Sequence, residues 1–361
     1  MPEKIQTIRQ AFTEQRRDAK ARHRDIAGNL GISEGELIAA HAGPGGEPPD
    51  ACTLHATRLR AEWPQIVESL QALGEVMALT RNASCVHEKT GTYRNATHNG
   101  AVGLVLDADI DLRVFYGRWA HGFAVEEHTD KGVQRSLQFF DAAGTAIHKV
   151  FLQPQSDAAA YGELVARLAD ADQSAGMQVC AAPPAEAEAP DDAIDAAAFG
   201  GAWAALRDTH EFFGLLKKFG VSRTQGLRLA PAEFASRVAP ASAHRLIDEA
   251  ARGQVSIMVF VGNPGMIQIH TGPVSNIVPA GPWINILDPR FSLHLRADHV
   301  ASAWVVRKPT VDGVVTSLEL FDAQGETIAM FFGERKPGKP ELPAWRALVE
   351  SLTQEAEPCP V

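Results

Sequence analysis

The residue in this chain best suited to specialised chemistry is a single histidine. His210 lies in WAALRDTHEFFGLLKKFG, where Trp203, Leu206, His210 and Phe213 fall at i, i+3, i+7 and i+10, the spacing of one apolar helix face. An imidazole on such a face is either a ligand or, more commonly, a satisfied member of the core. A second local reading starts a new helix here, with Asp208 as N-cap and Glu211 reaching back in a D-x-x-E capping box. Either way the ring is expected among aromatic side chains. Most other chemistries lack their residues: the chain has no P-loop, no dinucleotide glycine fingerprint and no G-x-S-x-G elbow. Its remaining histidines form no HExxH pair, and Cys52, Cys85, Cys180 and Cys359 are scattered with no CxxC or CxxCH, which argues against a zinc site or a disulfide scaffold.

Two features imitate functional motifs. RDIAGNLGISEGELIAAH at Arg24–His41 has the short helix, Leu-Gly-Ile-Ser turn and second helix of a helix-turn-helix. Its second segment carries Glu34 and Glu36 where a DNA-reading helix would hold Arg, Asn or Gln, and a related turn recurs in FGVSRTQGLRL at Phe219–Leu229. An edge-packing helical hairpin is therefore the favoured reading. With 34 basic against 44 acidic residues the net charge is −10, which opposes binding to a phosphate backbone. The dipeptide Cys359-Pro360, in an acidic tail, is read as chance.

The elements that must position His210 follow from length and repetition. At 361 residues the chain exceeds one ordinary domain of roughly 100 to 200 residues, and 45% hydrophobic content is ample for a core. No stretch reaches the ~18 apolar residues of a spanning helix, and the charged start MPEKIQTIRQAFTEQRRDAK lacks the apolar core of a secretion signal. A soluble, cytoplasmic protein without membrane insertion is expected. Sliding the chain by 181 positions aligns Val76–Phe151 with Ile257–Phe332 without a gap, and 22 of 76 positions are identical, far above the ~6% expected of unrelated chains.

SLQFFDAAGTAI at Ser136–Ile147 matches SLELFDAQGETI at Ser317–Ile328, and each reads as a strand, a Gly turn and a second strand. Helices are expected at Trp63–Ala78, Gly162–Leu168 and Pro343–Leu352. The fold class is thus α+β, a tandem duplication of two similar, mainly antiparallel β-sheet halves with flanking helices and a ligand cleft between them. Residues 1–170 form the first repeat, with the helical hairpin. An Ala/Pro/acid linker spans 171–199, and the second repeat, with the His210 helix, spans 200–361. Positions that differ between repeats are where one half could carry a task of its own: Arg113 faces His294, and Glu127 faces Lys308.

At RDTHEFFGLLKKFGVSR, NPGMIQIHTGPV, WINILDPRFSLHL and VVRKPTVDGVVTSLELFDAQGETIAMFFGER, the chain resembles the cytoplasmic haemin-degrading and haem-trafficking proteins of Gram-negative haem uptake systems, the HemS/ChuS type. The likeness runs over essentially the whole chain, duplication included. It implies one b-type haem, iron protoporphyrin IX, as ligand or substrate. The family's proximal iron ligand falls on His210 and its distal arginine on Arg113, which would be the catalytic residue if haem is degraded. Arg223, Lys308 and Arg335 fall at the haem propionates, and Phe115, Met258, Phe260 and Phe332 at the apolar walls. Met330 and Phe332 depart toward apolar character from what relatives carry in that segment.

The implied function is haem utilisation for iron acquisition: the protein accepts imported haem and traffics or degrades it. A haem importer and a haem oxygenase or reductase are the implied partners. Degradation would draw electrons from an outside donor, because the sequence offers no flavin or nicotinamide site. Two rivals predict different things. A helix-turn-helix regulator using Arg24–His41 predicts specific, salt-sensitive duplex binding, and a non-enzymatic interaction scaffold has His210 merely in the core.

Overall fold

The computed structural model describes residues 2–19, 21–43, 53–182, 187–335 and 338–354; the Cys359-Pro360 dipeptide lies outside them. The chain forms two compact units, residues 1–81, 88–183 and 263–268 in the first and 82–87, 184–262 and 269–361 in the second. The units are therefore not simply consecutive halves, since each includes a short segment from within the other's stretch of sequence. The described strands lie in two nine-stranded sheets.

In the first stretch of chain the order is α1 (Pro2–Ala19), α2 (His23–Asn29), α3 (Glu34–Ala39), β1 (Leu54–Arg58), α4 (Trp63–Ser69), β2 (Val76–Arg81), β3 (Cys85–Gly91), β4 (Ala96–Asn99), β5 (Val102–Leu106), β6 (Asp111–Phe115), β7 (His121–Thr129), β8 (Gly132–Phe140), β9 (Ala146–Leu152) and α5 (Ala158–Leu168). Strands run β1-β7-β8-β9-β2 and, separately, β4-β5-β6, each neighbour antiparallel. The expected helix at Trp63–Ala78 ends early. After α4 a short 3-10 turn runs to Leu73, Gly74 adopts φ 70°, and Val76 opens β2. The apolar run VMAL reads equally well as helix or strand, and its alternating burial makes it a strand.

The second stretch comprises α6 (Ala196–Ala204), α7 (Glu211–Phe219), α8 (Arg223–Leu229), β10 (Ala235–Val238), α9 (Ser242–Arg252), β11 (Ile257–Asn263), β12 (Met266–Gly272), β13 (Ile277–Ala280), β14 (Trp283–Asp288), β15 (Phe291–Arg296), β16 (Ser302–Thr310), β17 (Gly313–Phe321), β18 (Thr327–Gly333) and α10 (Pro343–Gln354). Its strands run β10-β16-β17-β18-β11 and β13-β14-β15. The duplication is thus a repeat of structure as well as sequence. Gly144 and Gly325, in the DAAG and DAQG turns, share the left-handed backbone at φ 77° and 80°, which an L side chain adopts only with strain.

The five-stranded run of the second unit has a different layer on each face. Val259, Leu318, Leu320 and Phe331 pack with Leu246 and Ile247 of α9 and Trp345 and Val349 of α10. On the other face Val306, Phe321 and Ala235 pack with Phe199, Trp203, Phe212 and Leu216 of α6 and α7. Trp345 is wholly buried and donates from Nε1 to the Thr316 carbonyl at 3.1 Å. A Cβ on Gly333 would meet the Trp345 side chain at 2.5 Å. Gly333→Ala is expected to lower stability by about 1–3 kcal/mol through overpacking; an unchanged melting temperature would contradict this packing.

The helical hairpin expected at Arg24–His41 is present as α2 and α3, joined through Gly31 at φ 63° and capped by a Ser33/Glu36 box. α7 and α8 repeat it with Gly220 at φ 63° and Ser222 as N-cap. Within 171–199, the described residues 171–182 and 187–199 make specific contacts. Gly176 N–H donates to the Ala39 carbonyl at 2.7 Å, Cys180 N–H to Ala142 at 2.8 Å, and Ala196–Phe199 already belong to α6. Glu188 and Asp191 pair with Arg228 at 3.0 and 3.1 Å, so these two acids are partners of the second unit's own helix α8.

Candidate functional site

His210 is not on a continuous helix face. α6 stops at Ala204 and α7 begins at Glu211, because the Asp208 carboxylate accepts the His210 backbone N–H at 2.8 Å and turns the chain there. Glu211 does reach back, but to the Arg207 N–H at 2.9 Å, and Asp208 is not the N-cap. Trp203 and Leu206 are buried as expected, while the His210 side chain is 90% exposed and Phe213 is 75% exposed. This overturns the placement of the ring among packed aromatics. It also removes the scaffold reading's core histidine.

The imidazole is nonetheless held. Its Nδ1 lies 2.6 Å from Asp208 Oδ1. The Asp208 carboxyl is kept below its ordinary range first by the His210 N–H, then by the ring and by the nearby Arg335 guanidinium. An ionised carboxylate only accepts, so the contact with Asp208 places a proton on Nδ1, and in the neutral imidazole Nε2 is then the ring's acceptor. Arg335 also lies 3.8 Å from Asp312.

Two residues beyond His210, Phe212 is buried, and its ring packs against two cations: Lys308 Nζ is 4.6 Å and Arg223 Cζ 5.1 Å from its centroid. Both cations converge on Glu319. Arg223 donates to its two carboxylate oxygens at 2.7 and 2.9 Å and Lys308 at 2.8 Å. Burial alone would raise the Glu319 carboxyl, but Arg223 and Lys308 hold it well below the ordinary carboxylate range; burial in turn lowers Lys308. Beside this triad the sheet presents an apolar surface. Met258 pairs with Phe332 and Phe260 with Met330 across β11 and β18, and Glu319 pairs with Met330 across β17 and β18, so these side chains share one face. All four apolar ones are half-buried, and the Phe260 and Phe332 rings lie 5.0 Å apart. Arg223 Nη2 also donates to the Met330 sulfur at 3.3 Å.

In the first unit, Asp111, Arg113 and Phe115 alternate with the buried Leu112 and Val114 along β6, forming its half-buried face. Arg113 Nη1 donates to the Asp111 carboxylate and to the Leu112 carbonyl.

A family model described as the haemin-degrading HemS.ChuX domain matches the chain twice, at residues 31–168 and 220–352. The chain belongs to this family. A curated hemin transport protein, HemS of Yersinia enterocolitica, is 39% identical over 92% of this chain and 93% of its own. Holo-PhuS, a heme-binding protein from Pseudomonas aeruginosa, is 46% identical, covers 98% of this chain and 99% of its own, and superposes with a TM-score of 0.92. The heme-degrading enzyme ChuS of Escherichia coli O157:H7 is 36% identical, with a TM-score of 0.85 over 96% of this chain and 99% of its own.

Within this HemS/ChuX chain, the second unit brings His210, Arg223, Lys308, Arg335, Met258, Phe260 and Phe332 into one unit; Arg113 and Phe115 lie in the first. Sequence reasoning missed Glu319 and treated Asp208 only as a helix cap. The signal for Glu319 was present, since it replaces Gln138 of the first repeat within a conserved stretch, after the shared Ser-Leu of Ser136-Leu137 and Ser317-Leu318 and before the shared Phe-Asp of Phe140-Asp141 and Phe321-Asp322. The helix-turn-helix reading loses its reader: Glu34, Gly35, Leu37, Ile38 and Ala39 of α3 are all buried, leaving no free face for a groove. Among the described residues, no helix is long and apolar enough to cross a membrane.

Proposed function

We propose that this chain is a cytoplasmic haem-binding protein that accepts imported haem and either hands it on or degrades it, with His210 as the axial ligand of the iron. The observation that carries the reading is the presentation of His210. Its ring is exposed, its Nδ1 proton is held by Asp208, and Nε2 is left to bind a metal, the carboxylate–histidine arrangement that fixes the tautomer of ligating imidazoles. The neighbouring residues fit the rest of an iron porphyrin. Met258, Phe260, Met330 and Phe332 offer an apolar wall, Arg223 and Arg335 are cations for its carboxylates, and Lys308 adds positive charge from beneath Phe212 and Phe332.

The printed functions of HemS, PhuS and ChuS, which resemble this chain over nearly its whole length, support the same reading. Haem iron supplies the redox chemistry when bound. The chain's own part is to ligate and wall it, and Arg113, with Phe115 beside it, is proposed for the side opposite His210. A guanidinium never loses its charge, and Asp111 restricts its rotamers. A haem importer and an external reductase or oxygenase are the proposed partners.

A haemin titration of the purified chain tests binding: a saturating 1:1 Soret shift is expected, and only the broad spectrum of adsorbed haemin would refute it. Degradation is separated from hand-over by adding ascorbate with catalase present. Steady Soret loss that slows by about tenfold or more in Arg113→Ala, as expected when a preorganised donor is removed, assigns catalysis to that residue. A Soret band that persists in the wild type assigns hand-over.

A further inference from the structure

Glu319 stands where a ligand's carboxylate would be expected. Its side chain is wholly buried, and its two oxygens take the Nε and Nη2 protons of Arg223 and a proton of Lys308. Ser317 Oγ donates to it as well, at 2.9 Å. Arg223 is one quarter exposed, Lys308 only 3%. The three groups carry one net positive charge in place of two. The corresponding first-unit positions are occupied differently: Gln138 stands for Glu319 and Glu127 for Lys308. In that unit Glu127 pairs with Arg16 and His23, so the acid at the Glu319 position is a feature of the second unit alone.

Resting on the reading of this site as a haem site, we propose that Glu319 is an internal carboxylate that competes with the porphyrin's own carboxylates for Arg223 and thereby limits how tightly the protein holds haem. Guanidinium–carboxylate pairing in fork geometry is directional, and both donors on the Nε side of Arg223 are already engaged. An incoming propionate must share Arg223, or take its remaining edge, or displace Glu319 and leave Lys308 without a partner. Each alternative weakens carboxylate capture relative to a site with a free arginine. The apolar wall and His210 are untouched by this competition, so the effect is confined to the ligand's carboxylates. A protein that must release haem to a partner gains from such a built-in competitor.

The test compares iron(III) protoporphyrin IX with its dimethyl ester, which has the same ring and iron but no free carboxylate, in wild type, Glu319→Gln and the double variant Lys308→Met/Glu319→Gln. Gln keeps the volume and removes the negative charge. The double variant also removes the buried cation, so it stays folded if the single one does not. The readout is the ratio of the two affinities, with thermal melting as the check on folding. Glu319→Gln is expected to raise the preference for the free acid by about tenfold, and the double variant, which also loses the Lys308 charge, to raise it by less. Lys308→Met alone leaves Glu319 to Arg223 and is expected to lower that preference. An unchanged or reduced preference in the folded Glu319 variants overturns the proposal and leaves Glu319 a structural counter-ion for Lys308. Failure of wild type to bind either porphyrin at 1:1 overturns the haem reading itself.

Discussion

His210→Ala is expected to lose the saturating Soret shift of a haemin titration while melting at the temperature of the wild type. The two halves of this expectation have separate grounds. A side chain that is 90% exposed contributes little to the core, and removing it should change stability by no more than about 0.5 kcal/mol. If His210 presents Nε2 to iron as proposed, its loss should weaken haemin binding by on the order of 100-fold, leaving only the apolar wall and the cations. Asp208→Asn supplies the graded case. It keeps the turn but removes the negative charge that holds the Nδ1 proton, and should cost about tenfold in affinity with an altered Soret maximum. A His210→Ala protein that still titrates to a sharp 1:1 endpoint with an unshifted spectrum would remove His210 from the coordination sphere. One that unfolds would contradict the exposure on which the assignment rests.

Where the sequence was legible, the signal was local. The SLQFFDAAG and SLELFDAQG hairpins carry both the strand period and the turn glycine within a dozen residues, and both form, as β8-β9 and β17-β18. α5 and α10 were legible as amphipathic runs, although α5 starts at Ala158, a turn before the expected Gly162, because Asp157 caps it there. The break at Asp208 was not: Trp203, Leu206, His210 and Phe213 keep helical spacing, yet one carboxylate taking the His210 N–H stops the helix and turns the ring outward. Spacing measures what a helix would bury, not whether the helix continues. The Glu319 triad was hidden for a different reason. Arg223 lies 96 residues away in α8 and Lys308 11 residues away on the neighbouring strand, so only the fold assembles them. The asymmetries Arg113/His294 and Glu127/Lys308 could be read from the repeat, but their partners could not.

Those partners in the first unit make the chain sensitive to acid in a way that can be predicted with its sign. Glu34, which follows Ser33 as Arg223 follows Ser222, is buried and pairs with Lys149 and Arg81; Glu127 pairs with Arg16 and His23. Burial alone would raise both carboxyls. For Glu34 the opposing charges of Lys149 and Arg81 win, and for Glu127 the hydrogen bond and charge of His23 with those of Arg16, so that each is held at about 2. A carboxyl whose folded pKa lies below its unfolded value contributes stability that is fully present above about pH 4.5 and is lost as pH falls toward 2. Each is worth on the order of 3 kcal/mol across that window. Burial also holds His41 at about 4 and His148 at about 3, so the unfolded chain takes up their protons first and the melting temperature is expected to decline already below about pH 6.5. The two carboxyls make the drop steeper below 4.5. Glu34→Gln should flatten the acid limb, and at pH 7 it should already cost about 3–5 kcal/mol, because Lys149 is left buried without its carboxylate. Glu34→Gln with Lys149→Met removes the stranded charge and should recover much of that loss while keeping the flatter profile. Acid limbs that run parallel in wild type and both variants would show that Glu34 does not govern the transition.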